Sequence, residues 1–108
     1  MRNDQKRLYE MKAAVLEAVA HPLRLAVIDF LSGGEQCVCD IARFVGAKRS
    51  NVSRHLGVML RAGVLECRKD GLKVIYDLRT PCVAGFLNCV TKVLREQMKQ
   101  ETALLGAL

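Results

Sequence analysis

The sequence has 108 residues, of which 51% are hydrophobic, and a formal net charge of +6. A chain of this length is typical of one domain with its own core, and its apolar runs are far shorter than the ~20 residues of a membrane span. The first twenty residues carry Asp4, Glu10 and Glu17 among apolar positions, a pattern that argues against a secretory signal. We therefore expect a single cytoplasmic domain over residues 1–108 without membrane contact.

The positive charge is concentrated in one segment. Residues 43–73 hold eight basic and two acidic side chains, whereas the rest of the chain has nine of each. A single basic stretch of this kind is typical of a surface that contacts the phosphates of nucleic acid, although an ordinary solvated face is the alternative. The segment is therefore the first place to look for DNA-binding residues.

Two helices are predicted in the first third of the chain. Apolar residues recur at helical spacing over residues 4–20, namely Leu8, Met11, Val15 and Val19. Pro22 suits the first turn of a second helix, which ends at Gly33 and Gly34. His21 precedes that proline, and we interpret it as a helix-start or packing residue rather than a metal ligand.

Two further helices follow at close spacing. A short helix is predicted from Val38 to Val45, ended by Gly46, because glycine tolerates a left-handed cap. The next helix is predicted over residues 49–62 and ends before Gly63. One side of it is apolar, with Val52, Leu56, Met59 and Leu60. The opposite side is polar, with Ser50, Asn51, Ser53, Arg54 and His55.

The pattern then changes to that of a β-hairpin followed by a long helix. Residues 64–78 alternate in two runs, and Asp70-Gly71 between them predicts a tight turn, because such a turn needs a positive φ. The last helix is predicted over residues 81–104. Its apolar stripe comprises Val83, Phe86, Leu87, Val90, Leu94 and Met98.

The order of these elements and four stretches of sequence resemble the ArsR/SmtB family of bacterial sensor repressors. The stretches are HPLRLAVIDFL, EQCVCDIARFVG, SNVSRHLGVMLRAGVL and KDGLKVIYDL. The CVCD sequence resembles the arsenic, antimony, cadmium and lead sensors of that family. The resemblance implies a mainly α winged helix-turn-helix with a two-stranded β wing, forming a homodimer through its first and last helices, at residues 4–20 and 81–104. One departure is Lys48, where the family often has a Ser or Thr cap.

With this fold, residues 49–62 form the recognition helix and double-stranded operator DNA is the expected partner. Short polar side chains near its start can read base edges. We assign this role to Ser50, Asn51, Ser53, Arg54 and His55. Basic residues beside them and on the wing are expected to contact phosphates, namely Lys48, Arg49, Arg68, Lys69 and Lys73. For each residue alone, a solvated surface position is the alternative.

Cys37 and Cys39 form the predicted inducer site. They lie where a helix starts, and unpaired backbone N–H groups there favour the thiolate, which is the form that binds metal. Both can reach one ion only if Cys37 lies outside the helix. Thiolates select soft ions such as As(III), Sb(III), Cd(II) and Pb(II). In the resembled family this pair of cysteines are metal ligands. Arsenic sensors of the family can carry a third cysteine where this sequence has Ala42, so the ion would need a third donor from elsewhere.

The other three cysteines are candidates for that donor. Cys82 and Cys89 share a face of the last helix but lie ~10.5 Å apart along its axis, too far for a disulfide or a shared ion within one subunit. For these two, a sensor site and simple packing remain equally open. Cys67 alternates with Leu65 and is interpreted as core or wing packing. The last helix has no histidine, so the zinc site that the family builds there is not expected.

The sequence therefore predicts a repressor that leaves its operator when As(III), Sb(III) or a soft divalent ion binds its thiols, with no cofactor required for DNA binding. The first alternative is a redox- or persulfide-sensing repressor in which two cysteines bond to each other. A remote alternative is a cysteine-dependent reductase, but the spacing of Cys37 and Cys39 is not that of a CxxC redox motif, and no catalytic constellation is present. A DNA-binding protein with inert thiols is a further alternative.

Overall fold

A computed structural model describes residues 1–108 and confirms the predicted winged helix-turn-helix. The helices are α1 (Asn3–Val19), α2 (Pro22–Leu31), α3 (Val38–Val45), α4 (Arg49–Arg61) and α5 (Pro81–Gly106). The strands are β1 (Gln36–Cys37), β2 (Leu65–Asp70) and β3 (Lys73–Leu78), which form one antiparallel sheet in the order β1-β3-β2. No helix has the length and apolar character needed to cross a membrane.

The helix ends follow from local chemistry. His21 is the N-cap of α2, where its Nδ1 accepts a hydrogen bond from the Leu23 backbone N–H at 3.1 Å. Pro22 occupies the first helical position, which needs no N–H donor. Gly46 closes α3 in the left-handed conformation, with a φ of 68°. These positions confirm the helix-start role of His21 and the predicted end of α3.

The hairpin turn lies one residue later than predicted. Asp70 pairs with Lys73, so the two central residues of the turn are Gly71 and Leu72 rather than Asp70 and Gly71. Gly71 has a φ of 63°, whereas no non-glycine residue has a positive φ. A glycine at the first central position suits a type II′ turn, in which only that residue needs a positive φ. The glycine therefore determines where the hairpin turns.

The short strand β1 was not predicted, and it makes the wing sheet three-stranded rather than two-stranded. Gln36 pairs with Tyr76 and Cys37 pairs with Ile75 of β3. Two residues are too few to show the alternation that reveals a strand in a sequence. The consequence is that the chain entering α3 is hydrogen-bonded to the wing.

The core lies where α2, α3, α4 and the sheet meet, with the end of α1 against it. Its twelve buried residues are Val19, Val27, Ile28, Leu31, Val38, Ile41, Val52, Leu56, Met59, Val64, Leu65 and Tyr76. Val83 and Leu87 of α5 pack at its edge, but no residue of α5 is itself buried. Most apolar side chains of α1 and α5 remain exposed, including Leu8, Met11, Leu16, Phe86, Val93, Leu94 and Met98.

Candidate DNA interface and thiol site

The two sides of α4 differ as the sequence predicts. Val52, Leu56 and Met59 are completely buried. On the other side, Ser50, Ser53 and Arg54 are exposed, whereas Asn51 and His55 are partly buried. The buried side fixes the helix on the core, so the exposed side is presented outward in a defined orientation.

Arg54 and Asn51 are joined on the outward side of α4. The Arg54 Nη2 donates to the Asn51 Oδ1 at 2.7 Å, one helical turn away. A guanidinium held by a neighbour loses less side-chain freedom when it meets a guanine edge, so the pair is suited to reading bases. Their roles as base-reading residues stay predictions.

The predicted phosphate-contacting residues are all at the surface. Lys48 is the N-cap of α4 but makes no capping hydrogen bond, in keeping with its departure from the Ser or Thr of the resembled family. Lys48, Arg49, Lys69 and Lys73 are exposed, the last two near the turn at Gly71. This arrangement is compatible with contacts to the DNA backbone from the start of α4 and from the wing.

Arg68 differs from these lysines because it already has a partner. Its Nη2 donates to the Glu35 Oε1 at 2.9 Å, and both side chains are about half exposed. Glu35 precedes β1, so this ion pair adds a second link between the wing and the segment that leads into α3. A phosphate that binds Arg68 has to compete with the Glu35 carboxylate.

His55 is turned toward the start of α2 rather than fully outward. Its Nδ1 accepts a hydrogen bond from the Arg24 Nε at 3.1 Å, and its ring lies 4.5 Å from that of His21 between centroids. Burial and the nearby charges of His21, Arg24 and Arg54 lower the pKa of His55 below its ordinary value of 6.5. Only the Nε2 edge of this ring remains for contacts with DNA.

Arg24 and Glu35 are functional candidates that the sequence analysis missed. Arg24 lies 31 residues from His55, and Glu35 lies 33 residues from Arg68, so no local pattern links either pair. The one available signal was that Arg24 is the only basic residue in an otherwise mostly apolar α2. A basic side chain that is partly buried on such a helix needs a partner, because burying it unpaired is costly.

Cys37 lies outside α3 and Cys39 within it, which meets the one condition that the sequence analysis set for binding a shared ion. Cys37 is the N-cap of α3, with an extended backbone (φ −78°, ψ 157°), and so lies outside the helix. Cys39 follows within the first turn and is exposed, whereas Cys37 is 9% exposed. An ion bound through Cys39 at the surface would reach Cys37 at its inner side. Both cysteines as ligands stay a prediction.

The remaining cysteines do not complete this site within one subunit. Cys67 lies on β2, where it pairs with Tyr76 of β3. Strand β3 lies between β2 and β1, so Cys67 and Cys37 are two strand spacings of about 4.8 Å apart. Cys67 is exposed on the wing and does not join the core. Burial, and then the nearby Cys67 thiol, raise the pKa of Tyr76, and the charge of Arg49 opposes this by lowering that pKa. Cys82 and Cys89 are exposed on α5. No group of three His, Cys, Asp or Glu side chains in the chain could hold a metal ion.

Comparison with known proteins matches the region from the start of α2 to the start of the wing, which includes α4, Cys37 and Cys39. Residues 21–66 match the model of a family described as bacterial regulatory protein, arsR family. The chain is 34% identical to the uncharacterized HTH-type transcriptional regulator Rv0081 of Mycobacterium tuberculosis, over 97% of this chain and 93% of that protein. It is 30% identical to the arsenical resistance operon repressor of Staphylococcus xylosus, over 65% of this chain and 67% of that protein.

Solved structures agree with the sequence matches. A homodimeric winged helix-turn-helix DNA-binding domain from Mycobacterium bovis superimposes with a TM-score of 0.80 at 27% identity, covering 93% of each chain. The crystal structure of Rv0081 superimposes with a TM-score of 0.76 at 34% identity, covering 88% of this chain and 96% of that one. These proteins share nearly the whole fold described above, from α1 to α5.

Proposed function

The chain belongs to the arsR family of bacterial regulatory proteins, and from this premise we propose that it is a homodimeric repressor whose operator complex is released by a soft ion at Cys37 and Cys39. The family and the winged helix-turn-helix make it a DNA-binding transcriptional regulator and not an enzyme. The dimer, the DNA-contacting residues and the inducer are the parts that we propose.

The observation that supports operator binding is the combination of an outward polar α4 and a basic wing beside it. The charge of Arg49, at the start of α4, acts on Tyr76 of β3, so the two elements are close neighbours. The hydrogen-bonded pair of Arg54 and Asn51 on the outward side of α4 supports a base-reading role, while Lys69 and Lys73 extend the basic surface along the wing.

The support for a homodimer is the apolar surface that one protomer leaves uncovered. Leu94 and Met98 of α5 are 52% and 67% exposed, and Leu8 and Met11 of α1 are at least half exposed. Between α2 and α5 lies an open groove of about 550 Å³ lined in part by Leu25, Leu87 and Leu94. Large exposed apolar surfaces are typical of interfaces. The relative from M. bovis is a homodimer, and two copies would place two α4 helices on a palindrome.

The support for thiol sensing is the position of Cys37 between two elements. Cys37 is the N-cap of α3, two residues before the exposed Cys39, and its backbone pairs with Ile75 of the wing. An ion that draws Cys37 and Cys39 together would change the backbone at the N-cap, and β1 would carry that change into the DNA-contacting hairpin. The third donor would be a cysteine of the partner subunit's last helix, a small thiol or water. The relative from S. xylosus is named for arsenical resistance, which makes As(III) the first ion to test.

We expect arsenite to release the reduced protein from DNA of its own upstream region, as measured by fluorescence anisotropy. A coupling free energy of about 1 to 3 kcal/mol lowers DNA affinity roughly 5- to 150-fold, and DNA must weaken arsenite binding by the same factor. Cys37→Ser and Cys39→Ser should each bind DNA and abolish the response. Cys67→Ser is the matched control, because its thiol lies two strands away, and it should respond like the parent protein.

Two other outcomes would contradict this proposal at different points. If arsenite has no effect but a persulfide or peroxide releases the DNA, the thiols act as a redox pair and the ion site is wrong. If no metal, metalloid or oxidant changes DNA affinity, the thiols are inert and only the DNA-binding part stands.

Lys73→Ala tests the role of the wing. Because Lys73 is expected to contact a phosphate, its loss should weaken operator and random DNA by the same factor. The slope of the logarithm of affinity against the logarithm of salt concentration should decrease in magnitude by about 1. Lys99→Ala, on the exposed far part of α5, removes the same charge and should leave the slope unchanged. A selective loss of operator binding in Lys73→Ala would instead indicate base reading.

A further inference from the structure

We propose that His21, Arg24 and His55 form a pH-sensitive link, in which the operator complex requires a neutral His55 and weakens when that ring is protonated. The inference rests on the proposed DNA-binding role of α4 and adds a means of regulating it. It concerns residues that lie apart from the thiols.

Arg24 connects three helices at one point. Its Nε donates to the His55 Nδ1 of α4 at 3.1 Å, and its Nη1 donates to the Ala18 carbonyl oxygen near the end of α1 at 3.3 Å. Arg24 itself belongs to α2. This one side chain therefore links the recognition helix to α1, which we place in the dimer interface, and acts as a positioning residue for α4.

The hydrogen bonds indicate which nitrogen carries the proton in the neutral rings of His21 and His55. The Nδ1 of His55 accepts from Arg24, and the Nδ1 of His21 accepts from the Leu23 backbone N–H. An imidazole nitrogen that accepts carries no proton, so each neutral ring has its proton on Nε2. Protonation of His55 at Nδ1 removes the acceptor and places an N–H against the Arg24 N–H, so the link must break.

The surroundings of His55 oppose its protonation. The charged or titratable groups that act on it are His21 at the start of α2, Arg24 within α2 and Arg54 on its own helix. The end of α1 contributes the Ala18 carbonyl to Arg24, and its Glu17 is not among the groups that shift the pKa of His55. Burial and these three basic groups lower the pKa of His55, and no carboxylate offsets them. Once protonated, the ring is repelled by Arg24 and Arg54.

The direction of the expected effect distinguishes this link from general electrostatics. A histidine on a basic surface ordinarily strengthens DNA binding when it gains a proton, because it adds a charge that neutralises phosphate. Here protonation frees α4 from Arg24, so the specific complex should weaken as the pH falls. Binding to random DNA, which does not depend on the orientation of α4, should stay constant or strengthen.

The first measurement uses the free protein and needs no DNA. Nitrogen-15 NMR of the imidazole rings should show His55 in the Nε2–H form, with a titration midpoint below 6.5. His21→Asn keeps a side-chain oxygen for the N-cap of α2 and removes one basic neighbour, so it should raise the His55 midpoint. A Nδ1–H form, or a midpoint that His21→Asn leaves unchanged, would overturn the link.

The second measurement is anisotropy on the upstream duplex and on a random duplex, between pH 7.5 and 5.5 at constant ionic strength. Affinity for the upstream duplex should fall several-fold, with an upper bound at pH 5.5 of about tenfold per subunit, or about a hundredfold for a dimer with two His55 rings, because a histidine of ordinary pKa would give that loss. His55→Gln retains an acceptor for Arg24 but does not titrate, so, whatever its affinity at pH 7.5, the ratio of its affinities at pH 7.5 and 5.5 should be close to one for the upstream duplex. An equal pH dependence in His55→Gln, or tighter binding at pH 5.5, would refute the proposal.

The two measurements separate this inference from the function on which it rests. Failure to bind the upstream duplex at pH 7.5 contradicts the proposed operator, whereas the NMR titration still decides whether the link exists. The protein could also bind the upstream duplex at pH 7.5 and show the expected NMR titration, yet keep the same DNA affinity at pH 5.5. That result would contradict the regulatory role alone.

Discussion

Leu56→Ala is expected to lower the free energy of unfolding by about 2 to 5 kcal/mol. Leu56 is completely buried in α4 and belongs to the twelve-residue core. Alanine at this position loses the transfer free energy of the missing carbons and leaves a cavity that the surrounding helices cannot fully close. Urea unfolding at one fixed protein concentration, followed by circular dichroism, measures the change.

Leu72→Ala is the matched control for this stability experiment. Leu72 has the same side chain but is fully exposed in the hairpin turn, so its truncation should change stability by no more than about 0.5 kcal/mol. A loss in Leu56→Ala as small as that in Leu72→Ala would mean that α4 is not fixed on the core by its apolar side.

Arg54→Ala is expected to remove about 1 to 3 kcal/mol of discrimination between operator and random DNA. This corresponds to roughly 5- to 150-fold weaker operator binding beyond any loss for random DNA. The reason is that Arg54, held at 2.7 Å by Asn51, is placed to form paired hydrogen bonds with a base edge rather than a single phosphate contact. Competition anisotropy with the two duplexes gives the ratio of affinities directly.

Lys73→Ala provides the comparison for Arg54→Ala, because both variants lose one positive charge from the exposed DNA-binding surface. If Arg54 reads a base, only its loss reduces discrimination, while the lysine variant weakens both duplexes alike. If Arg54→Ala loses the same factor of affinity for operator and for random DNA, Arg54 contacts a phosphate and does not read a base.

The fold was largely predictable because each element is marked by its own residues. The start of α2 and the end of α3 follow from Pro22 and Gly46, whose backbone preferences act over one or two residues. The two faces of α4 follow from the spacing of its apolar side chains. The hairpin followed from Gly71, although the turn is centred one residue later than predicted.

The links between elements were not predictable by the same reasoning. Arg24 with His55 and Arg68 with Glu35 join residues more than 30 positions apart, and each contact depends on how helices and strands pack. The hydrogen-bonding partner of His55 could not be inferred from its position on the polar side of α4. These links join α4 to α1 and the wing to the segment before α3. The sequence therefore predicts which residues lie on the proposed DNA-binding surface better than it predicts how that surface is held in place.

The thiol site was predictable only in part. The placement of Cys37 at the N-cap and Cys39 in the first turn agrees with the requirement inferred from their spacing. The third donor could not be inferred, because the other cysteines of the same chain lie elsewhere on its surface. If a partner subunit, a small thiol or water supplies the third donor, as proposed, the sequence of one chain does not identify that donor.

The exposed apolar faces of α1 and α5 also affect how stability depends on protein concentration. Helix α5 has 26 residues and none of them is buried within the protomer. In a homodimer, the burial that this helix lacks is supplied by association, so folding and dimerisation become one equilibrium and the melting temperature rises with concentration. A cell that makes few copies would then hold a smaller fraction of the repressor in the folded form, and operator occupancy would respond to synthesis more steeply than linearly.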